Sequence, residues 1–281
     1  MPIPFDASWA ATMRPGSATD FFAIGGDLTD DDALCAEMAR VVYAPWNGRD
    51  RIRFGDYLSR AGFSVVQIAD VRGSQAFVAS NDTTTVVSFR GTQLSDRFDL
   101  LTDFRFLKSD WPAGGKVHNG FRAAINLIWP TVEAALERSP RKRLLYTGHS
   151  LGGALAILAA SRRRPDLLVS LASPHVGDAA FGETLAGVPH HRYVNCTDRV
   201  PRLPGERLGY RHTGELHFVR ADGTIVANPN PDDVDTERRT ASSAYRKWHS
   251  LLRGKAPNRE LADHAPINYA SAILGVRAAD G

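Results

Sequence analysis

The sequence predicts an α/β fold in which a mostly parallel central sheet is flanked by helices. Between residues 84 and 195, short apolar runs typical of buried strands alternate with longer segments of helical composition. Such alternation requires crossover connections, which set parallel strands side by side and cover the sheet with helices. The stretch 144–160 adds a second indication, because an apolar run passes through Gly-x-Ser-x-Gly directly into an Ala- and Leu-rich segment.

Ser150 occupies the corner where this strand must become a helix. A sharp turn there lifts the serine hydroxyl clear of the sheet, and Gly148 and Gly152 remove side chains that would collide with the turn. The following helix points its free amides and positive dipole end towards the serine, where an oxyanion would form during acyl transfer. We therefore predict that Ser150 is a nucleophile and that the backbone N–H of Leu151 is an oxyanion donor.

A second oxyanion donor is expected from the loop after a neighbouring strand. The strand predicted over 83–89 ends at Arg90-Gly91-Thr92, and Thr92 offers both a backbone N–H and a hydroxyl. In the next segment, 93–106, apolar residues recur at helical intervals. A lid that controls substrate access is predicted on Leu94, Phe98, Leu100 and Leu101. A fixed surface turn is the alternative.

A nucleophilic serine needs a base, and in sheets of this kind the chain order is serine, then acid, then histidine. Among the late histidines, His212 and His217 fall in a predicted hairpin and His249 lies within a predicted helix. His264 sits in a loop ahead of a terminal helix. His264 is therefore the predicted base.

The acid is expected just past the carboxyl end of a strand. Asp178 and Asp198 both satisfy this condition, and Asp198 is favoured because it follows the later strand, in a loop stiffened by two prolines. The sequence thus predicts a triad of Ser150, Asp198 and His264.

The first half of the chain begins with an irregular arm over 1–28, which mixes Pro, Gly and aromatic residues. A helix over 30–43 follows, capped by Thr29 and acidic in its first turn. Two alternating segments over 64–80, separated by Arg72-Gly73-Ser74, indicate a hairpin ahead of the strand 83–89. Val117–Phe121 is predicted to lead into an amphipathic helix that ends near Ser139-Pro140.

In the second half, the helix after Ser150 is expected to end at 164, since Pro165 cannot continue it. Later elements are predicted as strands over 167–171 and 192–195, a hairpin over 209–226 and helices over 236–252 and 266–274. We expect one domain over 1–281, in which 205–262 forms a hairpin-plus-helix excursion between the catalytic acid and the histidine.

Composition excludes several classes of protein. The chain has 34 basic and 31 acidic residues, so its net charge of +3 gives no basic face for nucleic acid. No apolar run is long enough to span a bilayer, and the first residues lack the basic and apolar regions of a signal peptide. A cytoplasmic location is therefore expected, unless a signal was trimmed or secretion is non-standard.

The remaining reactive side chains show no second chemistry. Cys35 and Cys196 are far apart and are predicted to be free, buried thiols. The adjacent pair His190-His191 and the other histidines lack the spacing of a zinc motif, and no acidic loop has calcium-ligand spacing. We expect no metal and no cofactor.

Taken together, the motifs resemble those of the class 3 lipases, the fungal-type lipases of the α/β-hydrolase superfamily that also include feruloyl esterases and plant acylhydrolases. The motifs are Val87–Thr92, Thr102–Phe104, Val117–Phe121, Gly148–Ala154, Ser173–Asp178, Asp198–Pro201 and Asp263-His264. The likeness covers residues 84 to 275. It implies an α/β-hydrolase fold, with the predicted triad, oxyanion donors and lid in their family roles.

The function predicted is that of a serine carboxylic-ester hydrolase, first of all a triacylglycerol lipase acting through an acyl-enzyme intermediate. A phospholipase A1 or a feruloyl-type carboxylesterase would use the same groups with a different acyl groove. A non-catalytic binding relative is disfavoured, because all three triad positions are filled. The expected partners are an acylglycerol or other ester and, transiently, a lipid interface.

Overall fold

The computed structural model describes residues 3–17, 30–44, 49–91, 107–140, 142–248 and 254–277. The strands are β1 (Ser64–Val71), β2 (Ser74–Ser80), β3 (Thr84–Phe89), β4 (Lys108–Asp110), β5 (Lys116–His118), β6 (Arg143–His149), β7 (Leu167–Leu171), β8 (His190–Asn195), β9 (Glu215–Val219) and β10 (Ile225–Ala227). The helices are α1 (Trp9–Met13), α2 (Asp31–Val41), α3 (Arg49–Arg60), α4 (Asn119–Arg138), α5 (Leu151–Arg162), α6 (Ala179–Glu183), α7 (Pro231–Trp248), α8 (Arg259–Asp263) and α9 (Pro266–Ile273).

Eight strands form the main sheet, in the order β1-β2-β3-β6-β7-β8-β9-β10. Strands β3, β6, β7, β8 and β9 pair in parallel, whereas β1, β2 and β10 join antiparallel at the two edges. Strands β4 and β5 form a separate small antiparallel pair. The predicted mostly parallel central sheet flanked by helices is therefore confirmed.

An apolar core lies on each face of the sheet. In β6, Tyr146 packs into the core that contains α4 and α5, while its neighbour Leu145 packs into the core that contains α2 and α9. Successive strand side chains point to opposite faces, so a strand buried on both sides favours a continuous apolar run. The continuous apolar run at the start of the nucleophile motif has this origin.

The ends of several elements differ from the sequence prediction. Helix α2 is capped by Asp30, whose side chain accepts from Asp32 N at 3.1 Å; the predicted cap, Thr29, lies outside the described residues. Within the predicted arm, the described part contains the short helix α1. Helix α7 starts at Pro231, five residues before the predicted 236, because proline suits a first helical position. Helix α3 was not predicted from the sequence; half of its twelve residues are charged.

Both cysteines are buried and free, as predicted. Among the described helices, none combines the length and the apolar character that crossing a bilayer demands.

Candidate active site

Ser150 lies at the turn between β6 and α5 in a backbone conformation that few residues adopt. Its φ is 61° and its ψ is −126°, outside the regions that L-residues favour. Its amide donates to the carbonyl oxygen of Leu171 at 2.8 Å, which fixes the turn against β7. A Cβ atom on Gly148 would collide with the backbone of Gly152, and one on Gly152 would collide with the carbonyl oxygen of Phe89. The two glycines are therefore required by close backbone contacts.

His264 follows α8 and is brought beside Ser150. Its Nε2 lies 3.1 Å from Ser150 Oγ, across 114 residues of sequence. The ring is almost completely buried. Of the late histidines set aside on sequence grounds, His212 bonds through Nε2 to the carbonyl oxygen of Pro201, His217 lies within β9, and His249 lies outside the described residues.

Asp198 completes the line of hydrogen bonds from the loop after β8. Its Oδ2 lies 2.8 Å from His264 Nδ1 and also accepts from the Tyr269 hydroxyl at 2.7 Å. Its Oδ1 accepts from Val200 N at 2.9 Å. An ionised carboxylate only accepts, so Nδ1 of His264 carries the ring hydrogen and Nε2 presents a lone pair to the serine hydroxyl. This arrangement can take the proton of Ser150.

Asp263 is adjacent to His264, yet its carboxylate points elsewhere. Oδ2 accepts from the backbone N and the hydroxyl of Thr197, at 2.9 and 2.7 Å, and forms an ion pair with Arg259 at 3.3 Å. Burial raises the pKa of this carboxyl. Asp263 thus joins the chain segment that carries His264 to the loop that carries Asp198.

The alternative acid and one of the two predicted oxyanion donors also lie in the described part of the chain. The alternative acid, Asp178, caps helix α6 by accepting from Phe181 N at 2.9 Å. Leu151 is the first residue of α5, so its amide is one of the free donors at that helix end. The remaining predicted site residues, Thr92, Leu94, Phe98, Leu100 and Leu101, lie outside the described residues.

Two neighbours of the triad were missed by sequence reasoning. Tyr269 bonds to Asp198 and also accepts from Asn195 N at 2.9 Å. His149 bonds through Nε2 to the carbonyl oxygen of His264 at 2.8 Å. His149 is a variable position of the Gly-x-Ser-x-Gly pattern, and Tyr269 follows His264 by about one and a half helical turns, so neither position carries a signal that sequence alone interprets.

The sequence is similar to those of fungal lipases. A lipase of Rhizomucor miehei is 32% identical over 182 residues, which are 58% of this chain and 50% of the relative. The secreted mono- and diacylglycerol lipase 1 of Fusarium solani is 34% identical over 174 residues, 56% of this chain and 52% of the relative. The chain thus spans about half the length of these curated relatives.

The expected cytoplasmic location is wrong by this comparison. Relatives from Fusarium solani and Malassezia globosa are named as secreted lipases. The expectation rested on the first residues and on the lack of a long apolar run, whereas the core and surface of an α/β domain are compatible with either side of a membrane. Composition therefore gave no information on location.

Solved structures share the fold as well. The mono- and diacylglycerol lipase of Aspergillus oryzae superposes with a TM-score of 0.61 and 25% identity, covering 72% of this chain and 86% of that chain. The sequence model of the family described as Lipase (class 3) matches residues 86–208, the segment that contains Ser150 and Asp198. Over this segment the chain is similar to the class 3 lipases, and it shares their α/β-hydrolase fold.

Proposed function

We propose that this chain is a serine carboxylic-ester hydrolase and, within that class, a triacylglycerol lipase. The single observation that carries the proposal is the line of hydrogen bonds from Ser150 Oγ through the His264 ring to Asp198 Oδ2, at 3.1 and 2.8 Å. A nucleophile, a base and an acid in this order are what acyl transfer requires. The names of the Fusarium solani and Malassezia globosa relatives, which are mono- and diacylglycerol lipases, support acylglycerols as the substrate class.

In the proposed reaction, Ser150 attacks the ester carbonyl while His264 Nε2 takes the hydroxyl proton. Asp198 orients the ring and stabilises its charged form. The tetrahedral oxyanion is held by the Leu151 amide at the start of α5 and, on the sequence argument, by Thr92. His264 then returns its proton to the leaving alcohol, and the acyl-enzyme is hydrolysed by water activated in the same way.

Contact with a lipid surface is part of the proposal. It depends on the apolar residues Leu94, Phe98, Leu100 and Leu101, whose helical spacing is typical of a segment with one apolar side. A substrate emulsion presents an apolar surface that this side of the segment can contact. The enzyme is therefore expected to bind emulsions transiently as it hydrolyses them.

The test compares two serine variants. Ser150→Ala is expected to lose at least about 10⁴-fold in kcat on p-nitrophenyl butyrate, since it removes the nucleophile. Ser59→Ala, which changes an exposed serine of α3, is the matched control and is expected to keep the wild-type rate. A fluorophosphonate probe should label the wild type and Ser59→Ala but not Ser150→Ala. Wild-type turnover by Ser150→Ala would refute the hydrolase.

The substrate class is tested separately with three esters. Rates on an olive-oil emulsion, on phosphatidylcholine vesicles and on methyl ferulate are compared at equal enzyme concentration. The proposal expects the highest rate on the emulsion. A higher rate on phosphatidylcholine or methyl ferulate would refute the triacylglycerol lipase and leave the ester hydrolase in place.

A further inference from the structure

Three side chains able to bind a metal come together towards the amino ends of β8 and β9. They are His191, Glu215 and His217. In the parallel pairing of these strands, His191 is directly opposite Glu215. Residues 215 and 217 are two positions apart, so all three side chains lie on the same face of the sheet. The spacing of these residues along the chain, one histidine on β8 and a Glu-x-His pair on β9, matches no sequence motif for a metal site.

The ligand atoms are close enough for one ion. A ring nitrogen of each histidine and a carboxylate oxygen of Glu215 all lie within 4.8 Å of one another, and His217 Nε2 is 3.8 Å from Glu215 Oε2. Ligands about 2.0–2.1 Å from a tetrahedral zinc ion are about 3.4 Å apart. The most distant pair therefore needs to approach by about 1.4 Å, the difference between 4.8 Å and about 3.4 Å. Glu215 is 47% exposed at its side chain and can make that movement.

A carboxylate already orients His191 from behind. His191 Nδ1 lies 2.8 Å from Asp32 Oδ2, and the Tyr193 hydroxyl donates to the same oxygen at 2.6 Å. Since Asp32 accepts, Nδ1 carries a hydrogen, and Nε2 is the nitrogen left to bind a metal ion. A carboxylate bonded to the second nitrogen of a metal-binding histidine is the usual arrangement in zinc sites, where it fixes the ring and its tautomer.

His217, the third ligand, has no hydrogen bond at Nε2 in the described part of the chain. His217 Nε2 is buried, and no described residue lies within hydrogen-bonding distance of it. The ring is held between the rings of His191 and Tyr193, at centroid distances of 4.8 and 4.9 Å. A buried nitrogen without a partner is costly unless something occupies it, and a metal ion would do so.

We propose that His191 Nε2, His217 Nε2 and the carboxylate of Glu215 bind one divalent transition-metal ion of the zinc class. Two imidazoles and one carboxylate suit zinc, and water would complete its four-coordinate shell. The ion would join β8 to β9 and, through Asp32, to helix α2. His191 lies near the amino end of β8, whereas Asp198, which is linked to Ser150 through His264, follows the carboxyl end of the same strand. The metal site is therefore separate from the candidate active site. Its role is to stabilise the fold, and the proposal does not depend on the proposed function.

The experiment uses the full chain, freed of metal with a chelator and titrated with zinc chloride by calorimetry. One zinc per chain is expected, with a rise in Tm as the ion binds. Glu215→Gln and His217→Gln are each expected to weaken zinc binding by at least about 100-fold. Asp32→Asn is expected to weaken it by about 10–100-fold, because the orienting carboxylate is lost. Cobalt is a second probe and should show the visible absorption of a tetrahedral site in the wild type but not in Glu215→Gln or His217→Gln.

Glu206→Gln is the matched control, since it removes an exposed carboxylate outside the cluster and should bind zinc like the wild type. Circular dichroism establishes that each variant is folded, and the Glu215→Gln variant retains an oxygen that can accept from Asn228 Nδ2. Failure of the wild type to bind micromolar zinc would overturn the proposal. Wild-type affinity in both Glu215→Gln and His217→Gln would overturn it equally, because the ion would then lie elsewhere.

Discussion

His149 and His264 are joined by a hydrogen bond from the ring of one to the backbone of the other, with Nε2 of His149 2.8 Å from the carbonyl oxygen of His264. A carbonyl only accepts, so Nε2 carries the hydrogen and Nδ1 of the same ring is the acceptor for the Tyr43 hydroxyl at 3.0 Å. The residue next to the proposed nucleophile thus holds the backbone of the proposed base.

Replacing His149 by Phe should therefore impair turnover more than binding. The buried carbonyl of His264 would lose its donor, at a cost of about 1–3 kcal/mol in stability, and the His264 ring would be less firmly held. We expect kcat on p-nitrophenyl butyrate to fall about 10–100-fold with KM nearly unchanged. Tyr43→Phe removes only the outer hydrogen bond and should have a smaller effect. Equal kcat values for His149→Phe and the wild type would contradict this role.

Tyr269 is expected to act on the acid in a similar way. Its hydroxyl donates to Asp198 and accepts from Asn195 N, and burial keeps the pKa of the phenol well above its usual value, so the donor persists at any working pH. Tyr269→Phe removes the acceptor of the buried Asn195 N and one of the two donors to Asp198 Oδ2, which keeps His264 Nδ1. We predict a loss of about 1–3 kcal/mol in urea unfolding and about a tenfold fall in kcat. Tyr245→Phe, which loses a bond to the carbonyl oxygen of Ala256, is the matched control and should lose stability without the loss of kcat.

The close contact at Gly152 predicts a large effect for a single methyl group. A Cβ there would meet the backbone carbonyl of Phe89 at the end of β3, and backbone cannot move aside cheaply. Gly152→Ala should lose at least about 2 kcal/mol in urea unfolding, or fail to fold. Gly55→Ala, in helix α3 with open space around the added atom, should gain about 0.5–1 kcal/mol. A Gly152→Ala variant as stable as the wild type would disagree with the described turn.

Acid should destabilise the fold through its buried histidines. Burial lowers the pKa of His118 to about 4 and that of His175 to about 4, from an ordinary value of 6.5. Between these values the unfolded chain binds more protons, so stability is full above pH 6.5 and falls as the pH drops towards 4. Each histidine contributes a slope of up to about 1.4 kcal/mol per pH unit.

The His118→Asn variant tests this slope. His118 Nδ1 accepts from Gly120 N at 3.1 Å at the start of helix α4, and asparagine offers an oxygen for the same cap. Urea unfolding at pH 7.5 and 4.5 should show a smaller acid loss in the variant than in the wild type. An equal loss in both proteins would exclude His118 as a source of the acid sensitivity.

Much of this protein was predictable because its signals are local. The apolar run of β6, the glycines beside Ser150 and the helix-forming residues after it each specify a backbone conformation within a few residues, and alternating segments of this kind specify a parallel sheet. The order of Ser150, Asp198 and His264 along the chain follows from that topology.

Other relationships were decided only when the strands paired. Which of two aspartates meets His264, how His149 reaches the backbone 115 residues away, and how His191 comes to lie beside Glu215 and His217 all depend on sheet register and on the docking of α8 and α9. These contacts are geometric consequences of packing, and no pattern of neighbouring residues encodes them. The sequence by itself determined the fold and supplied the side chains of the proposed chemistry; the tertiary structure determined which side chains face one another, because distances between remote residues are set by the whole core.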